Sequence, residues 1–118
     1  MRRSNRLTSS RDVRRVLSEG TRYPSPSLVV HVAPSVDGPV RVGVSAGRRI
    51  GSAVRRNRAK RRLREAVRAL LPTIRPGTDV MVTARRAAVQ TDTTELVAEI
   101  RTALDRAGVL VMMAATGC

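Results

Sequence analysis

The apolar positions of this chain alternate between two periods, and each change of period marks a new element. From 10 to 18, Val13, Val16 and Leu17 recur at i, i+3 and i+4, which places them on one face of a short helix. Ser9 stands before it as an N-cap, Asp12 has the spacing of a capping-box partner, and Gly20 supplies a stop. Period two then takes over. At 28–33, Leu28, Val30 and Val32 fall on one face and Val29, His31 and Ala33 on the other, and 40–46 alternates through Val40, Val42 and Val44. The turn residues Ser35-Val36-Asp37-Gly38-Pro39 between these two strands predict an antiparallel pair. A shorter strand at 21–23 precedes Pro24 and Pro26.

Helical spacing returns at 52–70, a length of about 29 Å, and Pro72 and Pro76 close that helix. A strand follows at 78–84, with Val80 and Val82 on one face. The last helix starts near Asp92 with Glu95 as its capping-box partner, buries Leu96, Val97, Ile100, Ala103, Leu104 and Ala107, and stops at Gly108. Residues 1–8 read as a mobile basic arm and 109–118 as an apolar tail without pattern. The order predicts an α+β fold: a two-layer sandwich of helices on a small sheet, in one domain covering 1–118.

Composition supports folding and adds a partner. At 118 residues and 42% hydrophobic content, the chain can build one modest core. Its formal net charge of +14 costs self-repulsion that an anionic partner would relieve. Nucleic acid leads, with an anionic membrane surface or an acidic protein as alternatives. The single cysteine, Cys118, excludes an internal disulfide. No apolar run nears the roughly 18 residues of a membrane span, and the opening MRRSNRL lacks a secretory apolar segment. The expected location is the cytoplasm.

The charge is concentrated. Residues 47–68 hold ten of the 23 basic residues and one acid, Glu65. At 100° per residue, Ser52, Arg56, Ala59, Leu63, Ala66, Val67 and Leu70 form one stripe. Arg56 on that stripe must reach water or a fixed acceptor, because a buried unpaired guanidinium is very costly. Asn57, Arg61, Arg64 and Arg68 align along a second ridge, and Arg55, Arg58 and Arg62 occupy the opposite flank. Like charges at i, i+4 destabilise a helix, and almost no acid offsets them here, so the ridge reads as a polyanion dock. Gly47 and Gly51 flank Arg48-Arg49-Ile50 at the helix entrance, where small residues admit a phosphate to free N–H groups or simply allow a turn. No protein active site is apparent: His31 is the one group able to titrate near neutrality, and the nine acids are too scattered to hold a metal. A ribosomal or RNA-chaperone protein and a DNA-binding helix are the competing readings.

The string Arg56-Asn57-Arg58-Ala59-Lys60-Arg61-Arg62-Leu63-Arg64-Glu65-Ala66 resembles the Arg-Asn-Arg signature of the bacterial ribonuclease P protein subunit. The segment Arg41-Val42-Gly43-Val44-Ser45, the loop from Gly47 to Val54, Asn5-Arg6-Leu7 and the strand at 79–85 match that family as well. The resemblance covers about residues 3–107. It implies an α-β-β-β-α-β-α sandwich with a left-handed βαβ crossover around the basic helix. It further implies a protein that joins a large catalytic RNA, one protein per RNA. That RNA removes the 5′ leader from precursor tRNA with Mg²⁺, which the RNA mainly holds; no protein side chain would be catalytic. Arg56, Asn57, Arg58, Lys60, Arg61 and Arg64, with Arg48, Arg49, Arg55 and Arg68, would bind RNA. A cleft of Val13, Leu17 and His31 would hold the leader. Many relatives carry aromatics at those three positions, whereas Tyr23 is the only aromatic here, so leader binding would rest on apolar contact, His31 and charge. Ordinary core packing for Val13 and Leu17, and a plain surface role for His31, are the alternatives.

Overall fold

A computed structural model describes residues 3–35 and 38–111. The elements are α1 (Ser10–Glu19), β1 (Thr21–Pro24), β2 (Leu28–Pro34), β3 (Arg41–Ala46), α2 (Ala53–Leu70), β4 (Thr78–Ala84) and α3 (Thr93–Arg106). Their order and nearly all their limits follow the periodicities of the sequence. The pairing does not. The sheet runs β1-β2-β4-β3, so the antiparallel β2–β3 pair expected from the intervening turn is absent. β4 lies between them, antiparallel to β2 and parallel to β3. The cause is visible in β4 itself, where every residue but Thr83 is buried. A strand buried on both faces gains most from neighbours on both edges. The connection between β2 and β3 then has only to cross one strand, about 10 Å.

The larger core fills the face under α2 and α3. Leu28, Val30 and Val32 of β2, Val42 of β3 and Val80, Val82 and Ala84 of β4 meet Leu63, Val67 and Leu70 of α2 and Leu96, Ile100 and Leu104 of α3. Each such side chain contributes about 1.5–3 kcal/mol by leaving water. The other face carries a small cluster of Leu7, Val16, Ala33 and Met81, with Val13 packed against it. Here the sequence expectation of a mobile arm fails for the described part. The Leu7 amide donates to the Val42 carbonyl at 3.0 Å and Asn5 Nδ2 to the Val40 carbonyl at 2.7 Å, so residues 5–7 are bound along β3.

Charged contacts fasten α1 to the sheet. Asp79 is fully buried on β4, and Arg41 grips it through Nε at 2.9 Å and Nη2 at 2.7 Å. Arg15 of α1 bonds the same carboxylate, and its Nη1 donates to the Pro34 carbonyl at 3.0 Å. Arg41 Nη1 also reaches Asp12 at 3.1 Å. The hydrogen bond that Arg41 donates to Asp79 is the main reason the pKa of its guanidinium is held above the usual value.

Helix ends differ from the capping boxes predicted. Ser9 caps α1 by accepting from the Asp12 amide, but the Asp12 carboxylate is used on Arg41 and Arg15 rather than returned to the cap. Asp92 precedes α3 without a side-chain capping bond. At its other end, α3 closes as expected: Gly108 has φ +74, its amide bonds the Asp105 carbonyl, and the Val109 amide bonds the Leu104 carbonyl. The apolar tail also acquires a partner. Val109 accepts from the Arg75 amide and the Val111 amide donates to Thr73, both at 2.7 Å. Residues 112–118, Cys118 included, lie outside the described residues.

Candidate nucleic-acid interface

α2 begins where Ser52 turns its Oγ to accept from the Arg55 amide at 3.3 Å, and it ends in a 3₁₀ turn at Leu71–Thr73. Ala59, Leu63, Ala66, Val67 and Leu70 are buried, as the stripe predicts. Ser52 is instead an exposed cap. Arg56, expected to reach water or a fixed acceptor, is half-buried; its amide donates to the Ser52 carbonyl at 2.9 Å, and its guanidinium bonds no other described residue. The anchored arginine is Arg62. Its Nη2 donates to the Thr91 carbonyl, and its Nε is buried without a partner. A helical wheel could not show this, because the segment that covers that flank comes from 85–92.

The outer ridge is present. Asn57, Arg61, Arg64 and Arg68 are all exposed. Arg61, Arg64, Glu65 and Arg68 form one wall of a groove of about 660 Å³, Val42, Gly43 and Val44 of β3 form its floor, and Arg6, Leu7 and Thr8 of the arm form the facing wall. Asn57 stands outside that lining. None of the four guanidinium groups in the groove hydrogen-bonds or ion-pairs with another described residue. Arg58 is exposed and Lys60 half-buried on the neighbouring faces of α2.

A second basic field lies where β3 and β4 end. These strands are parallel, with Ala46 beside Ala84. Each is followed by a dibasic pair, Arg48-Arg49 after β3 and Arg85-Arg86 after β4. Parallel neighbours deliver their C-terminal loops to the same end of the sheet, so the two pairs meet, and Arg86 Nε donates to the Arg49 carbonyl at 3.1 Å. With Arg22 they border a hollow of about 840 Å³ floored by Val29, Thr83 and Ala84. Arg55 lines an adjoining recess with Arg49 and Arg86. Arg6, Arg22, Arg85 and Arg86 were not among the residues expected from the sequence. The repeated strand-then-Arg-Arg pattern could have found the last two, given the correct strand pairing.

The three residues expected to form a leader cleft share the α1 side of the sheet. Val13 is half-buried against the Leu7–Met81 cluster, and Leu17 is 39% exposed. His31 is half-buried beside Arg22, its cross-strand neighbour. Burial first, and Arg22 second, hold its pKa below the usual 6.5. The apolar floor of the hollow of about 840 Å³ is Val29 and Ala84.

Among the described residues no three His, Cys, Asp or Glu side chains converge as metal ligands. Asp79 is enclosed by arginines, and the groove offers the single carboxylate of Glu65. Mg²⁺ favours six oxygen ligands, so these side chains could add at most a ligand or two to a site built by something else. Among the same residues no helix is long and apolar enough to cross a membrane.

The profile of the family described as Ribonuclease P matches residues 1–108. A "Ribonuclease P protein component" of Symbiobacterium thermophilum is 44% identical over 111 residues, 93% of this chain and 96% of the relative. Another, from Chloroflexus aurantiacus, is 48% identical over 85 residues, 72% of this chain and 63% of the relative. Among solved structures, the RNase P protein of Staphylococcus aureus superposes with a TM-score of 0.76 at 26% identity, covering 92% of this chain and 99% of that one. That of Thermotoga maritima gives 0.73 at 28% identity, covering 86% and 96%.

Proposed function

The chain belongs to the bacterial ribonuclease P protein family, and we propose that its two arginine fields divide the labour of that enzyme between two RNAs. As a member it is the protein component of the tRNA 5′-processing enzyme, an accessory subunit of an endoribonuclease that works with an RNA partner. The groove of Arg61, Arg64 and Arg68 docks the catalytic RNA, with Asn57, Arg56, Arg58 and Lys60 extending the contact along α2. The hollow bordered by Arg22, Arg48, Arg49, Arg85 and Arg86 carries the single-stranded leader of precursor tRNA, and Arg55 lies at its edge. The single observation behind this division is that the two linings share no residue.

The protein acts here by charge and position. Arginine forks meet phosphate oxygens through paired charge-assisted hydrogen bonds. Lowering the repulsion between two RNAs lets them approach at less Mg²⁺, and the ion itself is held mainly by RNA. The leader hollow contains no aromatic side chain. Its hold is therefore electrostatic and apolar, without the about 1–3 kcal/mol per base that stacking supplies, and base preference is weak. One protein joins one RNA, and the complex works in the cytoplasm.

The test is cleavage of a leader-bearing precursor tRNA by a ribonuclease P catalytic RNA at low Mg²⁺, with and without the protein. Faster cleavage with protein is expected. Cleavage no faster than by the RNA alone, together with tight binding to duplex DNA, would overturn the reading.

A further inference from the structure

The wall of the groove that faces α2 is the N-terminal arm, and uncharged contacts place it there. Arg6 pairs with Val42 as a parallel bridge, between the Asn5 and Leu7 bonds to β3. The Leu7 side chain is 4% exposed, sealed with Val16 and Met81. Gly43 permits the close approach: a Cβ there would stand 2.9 Å from the Leu7 carbonyl oxygen and 2.5 Å from Met81 Sδ. Arg6 itself is exposed, and no carboxylate or carbonyl among the described residues engages its guanidinium. Across the groove Arg61, Arg64 and Arg68 are in the same condition, with Glu65 the one acid in the lining. Val44, two residues past Val42, turns its backbone N–H to the same edge of β3. The groove is therefore walled by guanidinium groups on both sides and floored by a strand edge.

We infer that the arm is the second jaw of a phosphate clamp. Arg6 binds the sugar–phosphate backbone of the same RNA segment that Arg61, Arg64 and Arg68 hold, and Leu7 seated over Gly43 is the positioning contact that keeps it there. The inference rests on α2 being the dock for the catalytic RNA. Nothing in the family's Arg-Asn-Arg string points to the arm; its role comes from the groove.

The test measures binding of the full chain to a ribonuclease P catalytic RNA over a range of salt, with thermal melting of each variant. Arg6→Ala should melt like the parent and lower the slope of log K against log salt by about 0.7–0.9, one phosphate contact. Gly43→Ala should speed hydrogen exchange at the Leu7 amide and lose the same contact, so that adding Arg6→Ala changes nothing more. If Gly43→Ala fails to fold, Leu7→Ala, which removes the seated side chain, replaces it, with the same loss of slope expected. An unchanged slope for Arg6→Ala beside a lowered slope for Arg64→Ala would overturn the clamp and leave the α2 dock standing. Unchanged slopes for both would overturn the dock as well.

Discussion

Arg15 and Arg41 carry the same side chain as Arg61 and Arg64, and the fold uses the two pairs in opposite ways. Arg15 and Arg41 converge on Asp79, a carboxylate with no exposure, and join α1, β3 and β4. Arg61 and Arg64 stand on an exposed ridge where the nearest acid in the groove is Glu65. The difference lies in how nine acids are shared among 23 basic residues. Asp12 and Asp79 serve the α1 side. Glu99 is used on the β1–β2 turn, accepting from Ser25 Oγ at 2.7 Å and the Ser27 amide at 2.8 Å. Among the described residues no carboxylate ion-pairs with an arginine of α2. An arginine supports the fold where a carboxylate reaches it and is free for RNA where none does.

Removing Asp79 should break one side of this contrast with the largest effect. Asp79→Ala should cost about 3 kcal/mol of stability, the low end for a broken buried pair, because both arginines keep a path to water. Chemical denaturation would show it, and a loss under about 1 kcal/mol would mean the network contributes little. On the other side, Arg48→Ala/Arg49→Ala should leave the melting temperature unchanged. It should lower the salt slope of precursor-tRNA binding by about 0.7 per lost leader contact, with mature tRNA unaffected. An equal change for both tRNAs would move these arginines off the leader.

A smaller gain is expected from adding an aromatic to the leader hollow. Thr83→Phe puts a stacking face on its floor, and should tighten leader binding by about 1 kcal/mol, the low end for base stacking. Equal affinity would place the leader away from that hollow. The smallest effect concerns His31. Its folded pKa lies below the usual value, so the unfolded chain takes up the proton more readily. Its contribution to stability is complete above about pH 6.5 and falls as pH drops from there toward the folded value. His31→Gln should flatten that part of the stability–pH curve, and an unchanged curve would locate the acid sensitivity elsewhere.

Element order was legible because each element repeats at its own period, and the α2 stripe from Ala59 to Leu70 is the clearest case. Strand pairing was not. Turn residues at 35–39 suggest a hairpin, while the burial that draws β4 between β2 and β3 is a property of the assembled layers. That one error concealed half of the second basic field, since Arg85-Arg86 meets Arg48-Arg49 only when β3 and β4 are parallel neighbours. Arg62 was missed for a related reason: its acceptor, the Thr91 carbonyl, belongs to another segment. The ridge of Arg61, Arg64 and Arg68 was readable because a single helix suffices to align it. Arg6 was hidden by its place in a short polar stretch whose anchor, Leu7, has no periodic context.

The assignment of unpaired arginines to RNA is tested most directly by the salt dependence of binding to a ribonuclease P catalytic RNA. The parent chain and Arg61→Ala/Arg64→Ala would be compared at matched thermal stability. A slope shallower by about 0.7–0.9 for each lost phosphate contact, with weaker binding throughout, is expected. The same slope and affinity in both proteins would contradict it, and would place the RNA on another face.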